Sequence, residues 1–143
     1  MFEIKNNRGE VMFVADQELY NRIVADIISV GSYTHTFVIY EGKLSATFKT
    51  ISSSERLELS NKTKDKDSSE FYLASLTYHL VRVGLAETDI QIAGTEDAEN
   101  KLRILPAPLM DKILHYFNVF MELTDRAFAS DDIVKNFSAP AVG

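Results

Sequence analysis

The sequence predicts an α+β fold in which a small antiparallel sheet of two hairpins packs against three to five helices. Apolar and polar residues alternate on both sides of a turn within residues 36–49, which is typical of half-buried strands, and short apolar stretches flank another turn near the start of the 143-residue chain. Stretches with apolar residues at every third or fourth position follow each hairpin and indicate amphipathic helices. We expect one domain over residues 1–130, centred on helices around Leu73 and Phe117, and a tail over residues 131–143.

The first hairpin is predicted where residues 2–4 and 11–14 flank a turn over residues 6–10. Asp16 stands directly before a helical pattern and is suited to cap it. Gly31 is expected to end this helix. Its apolar stripe comprises Leu19, Tyr20, Ile23, Val24, Ile27 and Ile28.

The second hairpin leads directly into a capped helix. Residues 36–39 and 43–49 alternate in polarity around a turn at Glu41 and Gly42. Ser52 stands three residues before Glu55, which is the spacing of a capping box. We therefore expect a strand pair that delivers the chain into a helix.

A further helix is expected to start at Ser68, because Asp67 and Glu70 repeat the capping spacing. Apolar residues surround this stretch almost completely as far as Leu85, which predicts a central helix. Residues 61–69 carry no apolar anchor and are expected to form a mobile loop.

The last third of the chain begins with an irregular acidic stretch. Residues 90–92 predict a short strand and residues 96–99 a polar turn. Pro108 is suited to the first position of a final helix. The apolar stripe of that helix comprises Leu109, Ile113, Tyr116, Phe117, Phe120, Leu123 and Phe128.

Composition excludes several classes of protein and of site. The chain has no cysteine, so disulfides and thiolate metal sites are excluded. A net charge of −6 works against sequence-independent nucleic-acid binding. No secretory signal is expected at the start of the chain, and no apolar stretch is long enough to span a bilayer, so we expect neither nucleic acid nor membrane as a partner.

No residue pattern in the chain matches a known catalytic or cofactor-binding motif. His35, His79 and His115 lack the spacing of a helical zinc site. Acidic clusters at residues 96–99 and 131–132 are more typical of solvated loops than of a general acid–base pair. Nucleophile elbows and glycine-rich phosphate loops are absent from the sequence. We therefore expect no metal, no cofactor and no enzymatic activity.

Residues 48–56 read FKTISSSER and resemble a short stretch that precedes a polar and then an apolar helix in bacteriophage tail assembly chaperones and baseplate-hub assembly proteins. Arg56 stands where the family pattern has a second acid. The similarity extends loosely over residues 36–140. It implies partner-binding roles for the following residues: Phe48, Lys49, Thr50, Ile51, Ser52, Glu55, Asn136 and Phe137.

The resemblance implies a non-enzymatic protein that shields the apolar surface of a phage tail or baseplate component, such as a hub or tape-measure protein. It implies the host cytoplasm as location, with the virion tail as a second one, and self-association is a further expectation. Phe117 and Phe120 belong either to the core or to a partner groove. The alternative function is a small acidic inhibitor or regulator that docks on a nucleic-acid-binding enzyme as a polyanion mimic, with one contiguous negative face around residues 87–99.

Overall fold

The computed structural model describes residues 1–129 and has an α+β architecture, as predicted. The strands form two separate antiparallel sheets, so the expectation that both hairpins share one sheet is wrong. The elements in chain order are β1 (Phe2–Lys5), β2 (Val11–Ala15), α1 (Gln17–Val30), β3 (Thr34–Tyr40), β4 (Leu44–Lys49), α2 (Ser53–Thr63), α3 (Ser68–His79), β5 (Leu80–Leu85), β6 (Asp89–Gln91), α4 (Thr95–Arg103) and α5 (Ala107–Ala129).

The described residues divide into two compact units. The two-stranded unit contains residues 1–33 and 118–129, with β1 paired to β2. The four-stranded unit contains residues 34–117, with the strand order β3-β4-β5-β6. A single domain over residues 1–130 stays a prediction, and the predicted tail at residues 131–143 lies outside the described residues.

The two-stranded unit follows its sequence signals closely. The side chain of Asp16 accepts a hydrogen bond from the backbone N–H of Leu19 at 2.8 Å, which caps α1 as predicted. Gly31 ends the helix with a left-handed φ of 90°. Ile28 is 63% exposed, so the buried stripe of α1 is narrower than the sequence predicted. The buried apolar residues of the unit are Ile4, Ala15, Tyr20, Ile23, Val24, Tyr33, Val119, Phe120, Leu123 and Ala127.

The four-stranded sheet has an apolar inner face that packs against the first half of α5. Directly opposed residues share a face of an antiparallel sheet. The register places four apolar side chains in one row across the strands: Phe37, Ala46, Val83 and Ile90. The rings of Phe37 and Tyr116 lie 5.5 Å apart and those of Phe48 and Phe117 5.7 Å apart, so aromatic packing joins the sheet to the helix.

The predicted helix from Ser68 through Leu85 is wrong in its last third, because α3 ends at His79 and β5 starts at Leu80. A short apolar run is compatible with either a helix or a buried strand, and local periodicity does not decide between them. Here β5 pairs with β4 on one side and with β6 on the other, so the backbone N–H and C=O groups of β5 have hydrogen-bond partners on both sides. Leu73 is 41% exposed and is not central, whereas Leu76 is fully buried.

Three smaller boundaries also differ from the sequence-based expectation. α2 continues to Thr63, whose hydroxyl donates to the carbonyl of Leu59 at 2.7 Å, so the connection between α2 and α3 is shorter than residues 61–69. Residues 96–99 belong to a helix, α4, rather than a turn. α5 begins at Ala107, one residue before Pro108. Within residues 1–129, none of the helices combines the length and apolar character that a membrane span requires.

Candidate functional site

The segment that carries the resemblance is a helix start. The backbone N–H of Glu55 donates to Ser52 Oγ at 3.1 Å, and the backbone N–H of Ser52 donates to Glu55 Oε1 at 3.2 Å. The predicted capping box is therefore confirmed. Both side chains satisfy backbone donors of α2, so their demonstrated role is structural.

The aromatic residues among the predicted partner-binding positions lie in the core. Phe48, Phe117 and Phe120 are each at most 1% exposed. Phe48 and His79 contact the ring of Phe117, whereas Phe120 stacks with Tyr33 at 6.4 Å between ring centroids. All three rings are therefore core residues in this structure, and the partner-binding roles of Phe48, Phe117 and Phe120 stay predictions.

The remaining predicted positions are only partly accessible or lie beyond the described chain. Lys49, Thr50 and Ile51 are half-buried where β4 leads into α2. Asn136 and Phe137 lie outside the described residues. Residues 48–55 thus lie at one strand-to-helix junction. These residues do not form an exposed apolar surface there.

An exposed apolar surface occurs instead on the first half of α3, which sequence reasoning assigned to the core. Residues 64–73 are all exposed. Within them Phe71 is 42%, Tyr72 50% and Leu73 41% exposed. The residues one helical turn further along are buried: Ser75, Leu76 and Thr77. We name Phe71, Tyr72 and Leu73 the α3 apolar turn.

Polar and charged residues directly precede the α3 apolar turn. Asp67 caps α3 by accepting from the backbone N–H of Glu70 at 2.9 Å. Lysine and aspartate alternate over residues 64–67. The combination of large apolar side chains and a mixed-charge border is typical of protein-interaction surfaces rather than of membrane-binding helices, which carry a strongly basic polar face.

The outer face of the four-stranded sheet is mostly polar. Two rows of opposed residues cross it, Thr36, Thr47, Arg82 and Gln91 in one row and Val38, Ser45, Gly84 and Asp89 in the other. The hydroxyl oxygens of Thr36 and Thr47 lie 2.7 Å apart and share a hydrogen bond. We name this surface the outer sheet face.

Arg82 is the central charged group of the outer sheet face. Its Nε donates to Asp89 Oδ1, while the other oxygen of Asp89 accepts from Gln91 Nε2 at 2.7 Å. A β-carbon on Gly84 would lie 2.9 Å from Arg82 Nη2 and 2.4 Å from Ser45 Oγ, so both groups converge over this glycine. A glycine inside an apolar strand pattern signals such a close approach, but the sequence does not show which side chain approaches.

Burial and hydrogen bonds shift the pKa of several titratable groups in the four-stranded unit. Burial lowers the pKa of His79, and its Nδ1 lies 2.8 Å from the carbonyl oxygen of Ser75. The backbone N–H of Ala93 and then the ammonium of Lys101 lower the pKa of the Asp97 carboxyl. Across residues 1–129, no group of three or more histidine, aspartate or glutamate side chains is arranged to hold a metal ion.

The chain matches no protein-family model, and comparison with curated proteins and with solved structures gives no match either.

Proposed function

We propose that this protein is a non-enzymatic assembly protein that binds an apolar segment of a phage tail or baseplate component. It acts in the host cytoplasm, where it keeps that segment out of water until assembly, and it can remain in the virion tail as a minor subunit. The observation that carries the proposal is the α3 apolar turn. The resemblance of residues 48–56 supplies the class of partner.

The α3 apolar turn has the properties of a binding anchor. Binding energy at protein interfaces concentrates in a few large side chains, among which tyrosine is enriched. Fully burying a large apolar side chain contributes about 1.5–3 kcal/mol, and roughly half of that remains available at each of these half-exposed residues. Phe71 and Tyr72 already pack edge to face, with ring centroids 6.1 Å apart, so part of the surface is preorganised.

The size of this turn favours a short segment or groove of another protein over a second copy of this chain. A standard interface buries about 800 Å² on each partner. Three side chains that are each 41–50% exposed supply only part of that area. A two-fold contact through this turn alone would therefore be weak, whereas a groove that encloses the projecting half of α3 would cover more of it.

The polyanion-mimic alternative is less well supported. Asp89 pairs with Arg82, Asp97 with Lys101 at 2.9 Å, and Glu99 with Arg103 at 2.8 Å. These acids lie in the stretch that the alternative requires to be a continuous negative face. Paired bases reduce the negative potential of that surface.

Co-expression tests the proposal most simply. The protein is produced together with tape-measure, hub or tail-tube proteins encoded beside it, and the soluble fraction and co-elution of each are measured. We expect one component to be soluble only in the presence of this chain. A triple variant, F71S/Y72S/L73S, should lose that effect, whereas the control I104S, at a residue that is 79% exposed, should keep it.

Two results would contradict the proposal. One is equal solubility and no co-elution of every neighbouring tail component with and without the wild-type chain. The other is wild-type solubilisation by the triple variant, which would remove the α3 apolar turn as the site.

Self-association is tested separately by light scattering coupled to size exclusion, with and without residues 131–143. An oligomer that becomes a monomer on truncation would support a role of Phe137 and its neighbours in assembly. A monomer in both forms would remove self-association from the proposal.

A further inference from the structure

We propose that the outer sheet face binds an oxyanion, a carboxylate or a phosphate group, at the guanidinium of Arg82. The site is independent of the α3 apolar turn. It uses different residues, and its ligand is recognised by charge-assisted hydrogen bonds rather than by apolar burial.

Asp89 orients the guanidinium of Arg82 and leaves the two terminal nitrogens available for a ligand. A guanidinium has five N–H donors. The hydrogen bond to Asp89 uses the donor on Nε, and among the described residues the two terminal nitrogens make no further hydrogen bond or ion pair. Gln91 holds Asp89 in turn through its second oxygen. The four remaining donors on Nη1 and Nη2 are therefore preoriented.

The absence of a side chain at Gly84 leaves room for Arg82 Nη2 and for the hydroxyl of Ser45. Because Gly84 has no side chain, Arg82 Nη2 and Ser45 Oγ both approach its Cα, where even a methyl group would collide with them. The hydroxyl of Ser45 has no hydrogen-bond partner in the described part of the chain and can donate to an oxyanion. The geometry thus combines a charged fork with a neutral donor above the backbone of Gly84.

The surrounding charge favours a small anion. Lys49 follows Thr47 on the same face of β4, and no ion pair of its ammonium occurs among residues 1–129. Arg82 and Lys49 together exceed the single carboxylate of Asp89 on this face. The side chain of Arg82 is 34% exposed, so a ligand can reach it while solvent screening stays incomplete. The net charge of −6 opposes polyanions at long range and favours a single oxyanion group.

The test is a nuclear magnetic resonance titration of the ¹⁵N-labelled full chain. Sodium phosphate and sodium acetate are added separately at constant ionic strength and pH, with sodium chloride as the reference. The reporters are the Nε–H resonance of Arg82 and the backbone amides of Ser45 and Gly84. We expect saturable shifts at these groups with at least one oxyanion and none with chloride.

Three variants and one control assign the site. R82Q removes the fork, R82K retains the charge without it, and G84A displaces Arg82 and Ser45, both of which have flexible side chains that can move aside. Each should weaken binding by about tenfold or more, because hydrogen bonds to a charged group are of that magnitude. R103Q changes the charge equally at an exposed arginine paired with Glu99 and should bind as the wild type does.

Saturation by phosphate alone identifies a phosphate ligand, saturation by acetate alone identifies a carboxylate, and saturation by both leaves the site general for oxyanions; all three support the proposal. Shifts that do not saturate, that equal those with chloride, or that persist unchanged in R82Q would overturn it. If G84A fails to fold, R82Q and R82K still decide the outcome, because neither alters the backbone.

Discussion

Ser52 and Glu55 accept each other's backbone N–H at 3.1 and 3.2 Å, which ties the end of the second hairpin to the start of α2. We expect S52A to lower the free energy of unfolding by about 1 kcal/mol, because an N-terminal backbone donor loses its acceptor. S53A, at the adjacent exposed serine inside the helix, is the control and should change stability little. Urea unfolding measures both; equal stability of S52A and the wild type would contradict this role.

A substitution at Phe48 distinguishes a core role of this ring from a partner-binding role. F48A should lower the free energy of unfolding by about 3–5 kcal/mol, because it removes a fully buried ring that packs on Phe117. V38A lies in the same hairpin at a residue that is 63% exposed and should shift stability by less than about 0.5 kcal/mol. A mild effect of F48A in thermal or urea unfolding would show that the ring is not a core element.

Tyr20 contains a buried hydroxyl with no hydrogen-bond partner among the described residues. Its ring stacks on Phe2 at 4.9 Å, so the apolar part of the side chain is well packed. Y20F should therefore leave stability unchanged or raise it by about 1 kcal/mol, since it removes an unsatisfied polar group.

Y33F is the matched comparison for Y20F, because the Tyr33 hydroxyl bonds to Arg22. It should destabilise the protein. Scanning calorimetry of the two variants gives the comparison, and a clear loss of stability in Y20F would reveal a partner of that hydroxyl.

The lowered pKa of His79 predicts that the stability of the fold depends on pH. Burial lowers the pKa of His79 in the folded chain, whereas in the unfolded chain the pKa is about 6.5. The unfolded state therefore binds more protons below about pH 6.5, and the free energy of unfolding should fall from there toward the lower folded pKa. Glu55 and the Ser75 carbonyl favour the protonated form and limit the fall, and Lys49 opposes them.

Urea unfolding between pH 5 and 8 measures this dependence, as set by the unfolded pKa of about 6.5. H79Q should flatten the curve in that interval, because it removes the buried titrating group. A curve for H79Q that is parallel to the wild-type curve would exclude His79 as the titrating group.

The parts of the fold that sequence predicted correctly depend on local signals. Asp16, Gly31, Ser52 and Asp67 act within three or four residues of themselves, so their capping roles follow from spacing alone. The two hairpins are similarly local, because a turn fixes each pairing.

The incorrect predictions depend on which elements meet. The run from Leu80 suits a helix or a strand, and pairing with β4 and β6 decides for the strand. Leu73 has the apolar side chain of a core residue, but it lies in the exposed first half of α3. Leu76, three residues later, is buried. Arg82 and Asp89 meet only because β5 and β6 pair in one register, which no local pattern specifies.

Hydrogen–deuterium exchange on the co-purified complex tests the central claim most directly, because it reads the α3 apolar turn in the intact protein. The backbone amides around Phe71, Tyr72 and Leu73 are compared in the free chain and in the chain bound to its tail component, with those around Ile104 as an exposed reference. We predict a marked slowing of exchange at the turn on binding and little change at Ile104. A stable complex in which exchange at the turn is unchanged would contradict the claim that this surface holds the partner.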